Sequence, residues 1–262
     1  MDLSDRSCVL GLYSYGRPAP HPEVYREFHT LVVSTLQGCG VSPTYAGVQG
    51  AGFSGKYVRA GNQRYREVVE GGFQGISGLT LLVNPRESRS PTYDSFIMVS
   101  LAYIEANDEL LLCWLVNERF IELEDPRFEE AIDSFAGLAD WDFGYAFSDQ
   151  SDRQPELHVL GLDSGHLSRS EHDELNAWYS TSPANRVLRI RGVYRRNMLN
   201  ERQLSAEVGG GVLRDFITHD ASCSLRQLRA GLYEWAISDD GAVRRISEEL
   251  AGSSALIGCP SS

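Results

Sequence analysis

Lysine is nearly absent from this chain. Lys56 is the sole lysine among 24 basic residues in a total of 262. All the others are arginine, a bias that fits genomic composition better than mechanism. Long apolar runs are missing too. The longest, Leu110 to Val116, falls far short of the ~20 residues a membrane span needs. The first residues, Met1-Asp2-Leu3-Ser4-Asp5, lack the basic-then-apolar layout of a signal peptide. Cysteines are few, odd in number and scattered: Cys8, Cys39, Cys113, Cys223 and Cys259 include no Cys-x-x-Cys pair. Cys8 and Cys113 lie in apolar runs, where a free cysteine acts as a small core residue. These absences predict a globular protein of the reducing cytoplasm with no membrane contact.

Signatures of catalysis are missing as well. No Gly-x-Ser-x-Gly elbow and no His-Glu-x-x-His pattern occurs. His166 and His172 stand near Asp163, Glu171 and Asp173, but no His-x-x-x-His spacing puts two imidazoles on one helical face. No catalytic residue, metal ligand or cofactor site is therefore assigned. Gly50-Ala51-Gly52-Phe53-Ser54-Gly55-Lys56 satisfies both Gly-x-Gly-x-x-Gly and Gly-x-x-x-x-Gly-Lys. Its surroundings argue against a phosphate loop. Tyr57 stands where Ser or Thr would hold magnesium, Pro43–Gln49 is no buried parallel strand, and no clear helix opens at Lys56. A nucleotide- or phosphate-using enzyme with a glycine-rich loop at 50–56 is the alternative function, behind a loop that contacts a partner. Gly209-Gly210-Gly211 reads as a tight turn before a helix rather than an anion site.

What is present is concentrated charge. The formal net charge is −12, with 36 acidic residues against 24 basic ones. Residues 105–156 hold fifteen carboxylates and only Arg119, Arg127 and Arg153, so this stretch accounts for the whole excess. Such a distribution suggests a surface for a basic partner. On the helix predicted after Asp125-Pro126, Glu129 and Asp133 are four apart, alike in sign and without a local cation, which costs a few tenths of a kcal/mol. The candidate partner-binding residues are Glu118, Glu122, Glu124, Asp125, Glu129, Glu130, Asp133, Asp140, Asp142, Asp149 and Asp152. Arg186, Arg189, Arg191, Arg195, Arg196 and Arg202 form a basic cluster. On so acidic a chain it suits internal ion pairs or a contact between lobes better than direct nucleic-acid binding.

Periodicity predicts an α+β fold, with antiparallel sheets, helices packed on one face and possibly two similar lobes. Strands are expected at Cys8–Tyr15, Leu79–Asn84, Tyr93–Ile104, Leu110–Val116, Phe143–Phe147, Arg186–Val193, Leu232–Ile237 and Ala255–Ile257. Helices are expected from His21 to Gly38, near Asn62–Glu70, over Pro126–Ala139, after the Ser170-Glu171-His172-Asp173 cap, over Val212–Ile217 and over Asp239–Leu250. Residues 41–61 carry no clear period. The polar run Asp149–Pro155 suggests lobes at 1–150, which holds the acidic stretch, and 151–262.

From Asp142-Phe143-Gly144-Tyr145-Ala146 onward a further pattern runs through Val193-Tyr194, Asn197-Met198-Leu199 and Leu204. It continues through Val208-Gly209-Gly210, Leu213-Arg214-Asp215-Phe216-Ile217, Leu228 and Gly231-Leu232-Tyr233-Glu234-Trp235 to the closing helix. It resembles the two-lobed α+β immunity proteins of bacterial toxin–immunity systems, including type VI secretion, over about the last 120 residues. The resemblance implies a non-enzymatic cytoplasmic binder that neutralises one cognate toxin, with no catalytic set to carry over. Nucleases must hold phosphate and so present basic surfaces. A nuclease toxin is therefore the expected partner.

Overall fold

Apolar residues fill both sides of Arg6–Tyr15 (β1), which marks a central strand covered on two faces. The computed structural model describes residues 5–50, 52–84 and 95–257. The further strands are Tyr45–Gly50 (β2), Phe53–Arg59 (β3), Ile76–Val83 (β4), Ile97–Ile104 (β5), Glu109–Asn117 (β6) and Phe143–Gln150 (β7). They are followed by Arg196–Asn200 (β8), Glu207–Val208 (β9), Gly211–Val212 (β10), Cys223–Arg229 (β11) and Leu232–Ile237 (β12). Ten of them form one antiparallel sheet, in the order β11-β12-β8-β7-β1-β6-β5-β4-β2-β3. The fold is α+β.

The long helices are Pro22–Gly38 (α1), Gln63–Glu70 (α2), Pro126–Ala136 (α3), Arg169–Ser180 (α5) and Asp240–Leu250 (α9). Short ones are Pro155–Val159 (α4), Pro183–Arg186 (α6), Glu201–Leu204 (α7) and Leu213–His219 (α8). Each half of the chain puts its helices on one face of the sheet, but the two halves use opposite faces. On the first face α1, α2 and α3 cover Leu10, Leu112 and Trp114, and the Trp114 ring stacks on Phe128 of α3 at 4.8 Å. Phe128, Ile132 and Phe135 are fully buried, each worth roughly 1.5–3 kcal/mol. On the other face α4 and α5 cover Tyr13, Phe143 and Tyr145, while α8 and α9 cover Trp235 and Leu199.

β7 pairs with β1 on one side and β8 on the other, so the ladder continues past the boundary proposed after residue 150. Gly144 allows the close approach this requires. A Cβ there would lie 2.4 Å from the Gly11 carbonyl oxygen and 2.5 Å from Leu12.

Asp125 caps α3 by accepting from the Arg127 N–H, and Pro126 opens the helix, as the sequence signals predict. Ser168, not Ser170, caps α5, with Glu171 completing the capping box. Several expectations need correction. Within 41–61, Tyr45–Gly50 (β2) and Phe53–Arg59 (β3) pair as a hairpin at a sheet edge. Arg186–Val193 is not a strand: it leaves α6 irregularly and makes one parallel bridge, Ile190 to Leu256, which is all that remains of the expected terminal strand. β8 and β11 were not foreseen. Tyr93 and Asp94, at the start of the expected Tyr93–Ile104 strand, and Cys259 lie outside the described residues. Gly209 and Gly210 make the predicted tight turn, with φ of +57° and +87° joining β9 to β10.

Candidate functional site

The acidic stretch spans β6, the loop after it, α3 and β7, and most of its carboxylates meet an arginine. Arg6 lies 3.5 Å from Glu118, Arg195 2.5 Å from Glu124 and Arg127 2.5 Å from Asp125. Arg226 lies 3.3 Å from Glu129 and 2.8 Å from Asp133. Arg229 and Arg17 both engage Asp140, and Arg17 also lies 3.3 Å from Asp142. Arg153 lies 3.1 Å from Asp149. The expectation that Glu129 and Asp133 lack a compensating cation is therefore wrong. Arg226 reaches them from the edge strand β11, a contact that local spacing on a helix cannot reveal. Glu122, Glu130 and Asp152 are exposed and have no ion pair among the described residues.

Five arginines from outside the stretch reach it, against an excess of twelve carboxylates, and two of the five also serve other acids. Arg195 lies 3.6 Å from Asp240, and Arg226 lies 2.5 Å from the buried Glu234. The region stays acidic, but as an interleaved surface of both signs. Of the predicted basic cluster, Arg191, Arg195 and Arg196 thus act in internal pairs, with Arg196 2.7 Å from Glu234 and Arg191 2.9 Å from Glu174.

A groove opens where β7 outruns β8. Beyond the Ala146–Arg196 pair, β7 continues to Gln150 beside β1, while the chain before β8 turns away. Three adjoining cavities follow this seam, of about 210, 300 and 360 Å³. The first two share Phe147, Ser148 and Tyr194; the second and third share Leu123, Glu124 and Arg195. Of the predicted residues, Glu118, Glu124 and Asp149 line this seam, whereas Glu129 and Asp133 face Arg226.

Below the smallest cavity lies a polar network. The Tyr13 hydroxyl donates to the Val159 carbonyl at 2.6 Å and lies 2.9 Å from the Tyr145 hydroxyl. Buried Arg191 donates to the Tyr145 hydroxyl at 2.7 Å, to the His158 carbonyl at 2.8 Å and to Glu174 Oε1 at 2.9 Å. The Tyr194 hydroxyl donates to the same Glu174 oxygen at 2.7 Å, and His158 Nε2 lies 2.9 Å from that hydroxyl. Burial alone would raise the Glu174 pKa, but hydrogen bonding from His158 and Tyr194 and the guanidinium charge of Arg191 bring it below the usual carboxylate range. Sequence reasoning missed this group. Its members are far apart in sequence, and only the aromatic alternation of Tyr13, Tyr15, Phe143, Tyr145 and Phe147 hinted at a special face.

The Gly50–Lys56 segment does not have the geometry of a phosphate loop. Gly50 pairs with Phe53 in the hairpin register, Lys56 lies within β3, and the next helix starts only at Gln63. Ala51 lies outside the described residues. Among the described residues no group of three or more His, Cys, Asp or Glu is arranged to hold a metal ion. No helix among them is long and apolar enough to cross a membrane.

No family model matches the chain, and no curated protein matches it. A solved structure with a similar fold is the Pseudomonas aeruginosa T6SS protein PA0821, with a TM-score of 0.59 and 14% identity. The likeness covers 88% of this chain and 65% of that one, so the chain spans about two thirds of its neighbour's length. At that identity the likeness is one of fold.

Proposed function

We propose that this chain is a non-enzymatic immunity protein of a type VI secretion toxin–immunity pair. It binds a cognate basic toxin, a nuclease, through the acidic region that includes α3. The carrying observation is the excess of carboxylates over residues 105–156, which survives the internal pairing described above. The fold likeness to a T6SS protein supports the setting. The carboxylates of the pairs at Glu124, Glu129, Asp133 and Asp140 are about half exposed or more. Such surface pairs are worth about 0–1 kcal/mol each, so a toxin's arginines can replace the internal ones at little cost. Glu122, Glu130 and Asp152, exposed and without an ion pair among the described residues, supply attraction without exchange, and the field of the whole region speeds encounter.

The test is association with the toxin encoded in the adjacent gene, measured across a salt series. Screening lengths shorten to about 8–10 Å near physiological ionic strength, so the association rate should fall steeply as salt rises. Co-expression should restore growth of a host poisoned by that toxin. Binding with a salt-independent rate would remove the acidic surface from the proposal. Absence of any binding or protection would remove the immunity role.

A further inference from the structure

The cavity above Glu174 has the chemistry of a receptor for one organic cation. Its volume, about 210 Å³, is that of about seven liquid waters, the scale of a single long side chain. Three aromatic side chains line it: Phe147, His158 and Tyr194. Phe147 and Tyr194 stack at 5.5 Å, with His158 set edge-on to both. Guanidinium and ammonium groups favour such rings.

The charges point the same way. Asp149, Glu171 and Glu174 supply three carboxylates, against the guanidiniums of Arg153 and Arg191. Arg153 is held at the rim between Asp149 and Glu171, at 3.1 and 2.8 Å. One negative charge is left over, shared by Asp149 and Glu171 around Arg153, while Arg191 faces Glu174. Arg191, Tyr194 and His158 all address its Oε1, and its second oxygen takes no hydrogen bond among the described residues. Glu174 is thus held rigidly from behind, with one oxygen to spare. Preorganisation of this kind lowers the cost of binding. A metal ion fits less well, because no three donors converge here.

We infer that this pocket accepts an arginine side chain of the protein partner, its guanidinium between the Phe147 and Tyr194 rings and the free oxygen of Glu174. The inference rests on the proposed partner being a basic protein, and it gives that partner an anchor residue. Anchors buried in a preformed pocket carry most of the energy in many interfaces, and arginine is prominent among them. The neighbouring 300 Å³ cavity, which shares Phe147 and Tyr194, then receives the flanking segment.

The probe is N-acetyl-arginine methylamide, titrated into the intact protein and followed by NMR of the aromatic resonances. The neutral isostere N-acetyl-citrulline methylamide is the control. The Tyr194, Phe147 and His158 signals should shift with the arginine probe, and the citrulline probe should bind about tenfold more weakly. Glu174→Gln should lose the difference between the probes. Because Glu174 belongs to a buried network, Glu171→Gln at the rim serves as a second variant and should weaken the arginine probe. Equal shifts with both probes, or shifts confined to the α3 side of the molecule, would overturn the assignment. Failure here beside an intact, salt-sensitive toxin complex removes the pocket and leaves the partner proposal standing. A pocket that takes the arginine probe beside a toxin that never binds does the reverse.

Discussion

Arg226 and Asp133 meet at 2.8 Å although 93 positions separate them in sequence. The same guanidinium lies 2.5 Å from Glu234, whose side chain is 1% exposed. One arginine on an edge strand therefore ties the acidic helix to a buried carboxylate of the sheet.

Removing that arginine should do more harm than removing either exposed acid. Arg226→Met leaves buried Glu234 with Arg196 as its single ion-pair partner. The expected loss is about 2–3 kcal/mol, less than for a fully orphaned charge. Asp133→Asn should cost under about 1 kcal/mol, as exposed pairs do. Urea unfolding of the two variants beside the parent checks the order.

Glu156 sits buried on α4 with no ion pair among the described residues, and burial pushes its carboxyl up to about 7. An acid whose folded pKa exceeds its unfolded value holds its proton longer in the native state. Stability is thus full below about 4.5 and declines as pH climbs through 7, by roughly 2–4 kcal/mol in all. Glu156→Gln should be the more stable form at pH 8 and lose that advantage by pH 5. Thermal melts at the two pH values decide it; a variant equal to the parent at both would contradict the burial argument.

Gly144 lies where β7 crosses closest to β1, and the atoms a methyl group would meet include backbone. Gly144→Ala should cost at least about 1–3 kcal/mol, the range for overpacked cores. Reduced soluble yield and a lower denaturation midpoint are the readouts. Gly38→Ala, whose Cβ meets open space within 4 Å, is the control expected to behave like the parent.

Charge reversal separates binding from folding. Glu122→Lys with Glu130→Lys alters exposed residues that hold no ion pair among the described residues, so stability should stay within about 0.5 kcal/mol. Association with the toxin should nonetheless slow severalfold at low salt and converge with the parent at high salt. Stopped-flow association rates at the two ionic strengths measure this.

The elements legible in the sequence are those whose signals are local. Val24, Phe28, Leu31, Val32 and Thr35 mark α1 by their spacing, and Asp125-Pro126 marks the start of α3 to the residue. β6 stands out because Leu110 to Val116 is buried on both faces. The missed strands lie at the sheet edges or carry polar side chains inward. β3 and β11 are half exposed throughout, and Gly47, Gly50 and Gly55 dilute any alternation near the first edge. In β8, Asn197 is buried because its side chain bonds the Tyr194 backbone, so the run looks polar. Arg186–Val193 misled for the opposite reason: Ile190 and Val193 fill the second-half core from an irregular segment. The acidic excess follows from counting residues, but its pairing depends on which strand ends beside α3. His158, Glu174 and Tyr194 converge only because α4, α5 and the approach to β8 pack on one face.

Strand β1 sits between β6 and β7, and neither is its neighbour in sequence. Its partners arrive with residues 109–117 and 143–150. On the ribosome, the apolar segment Cys8–Tyr15 must wait until more than half of the chain has been made before its ladders close. Such distant pairing slows folding and leaves sticky backbone uncovered meanwhile. The nascent chain should therefore depend on chaperone shelter early in its synthesis, whatever it later binds.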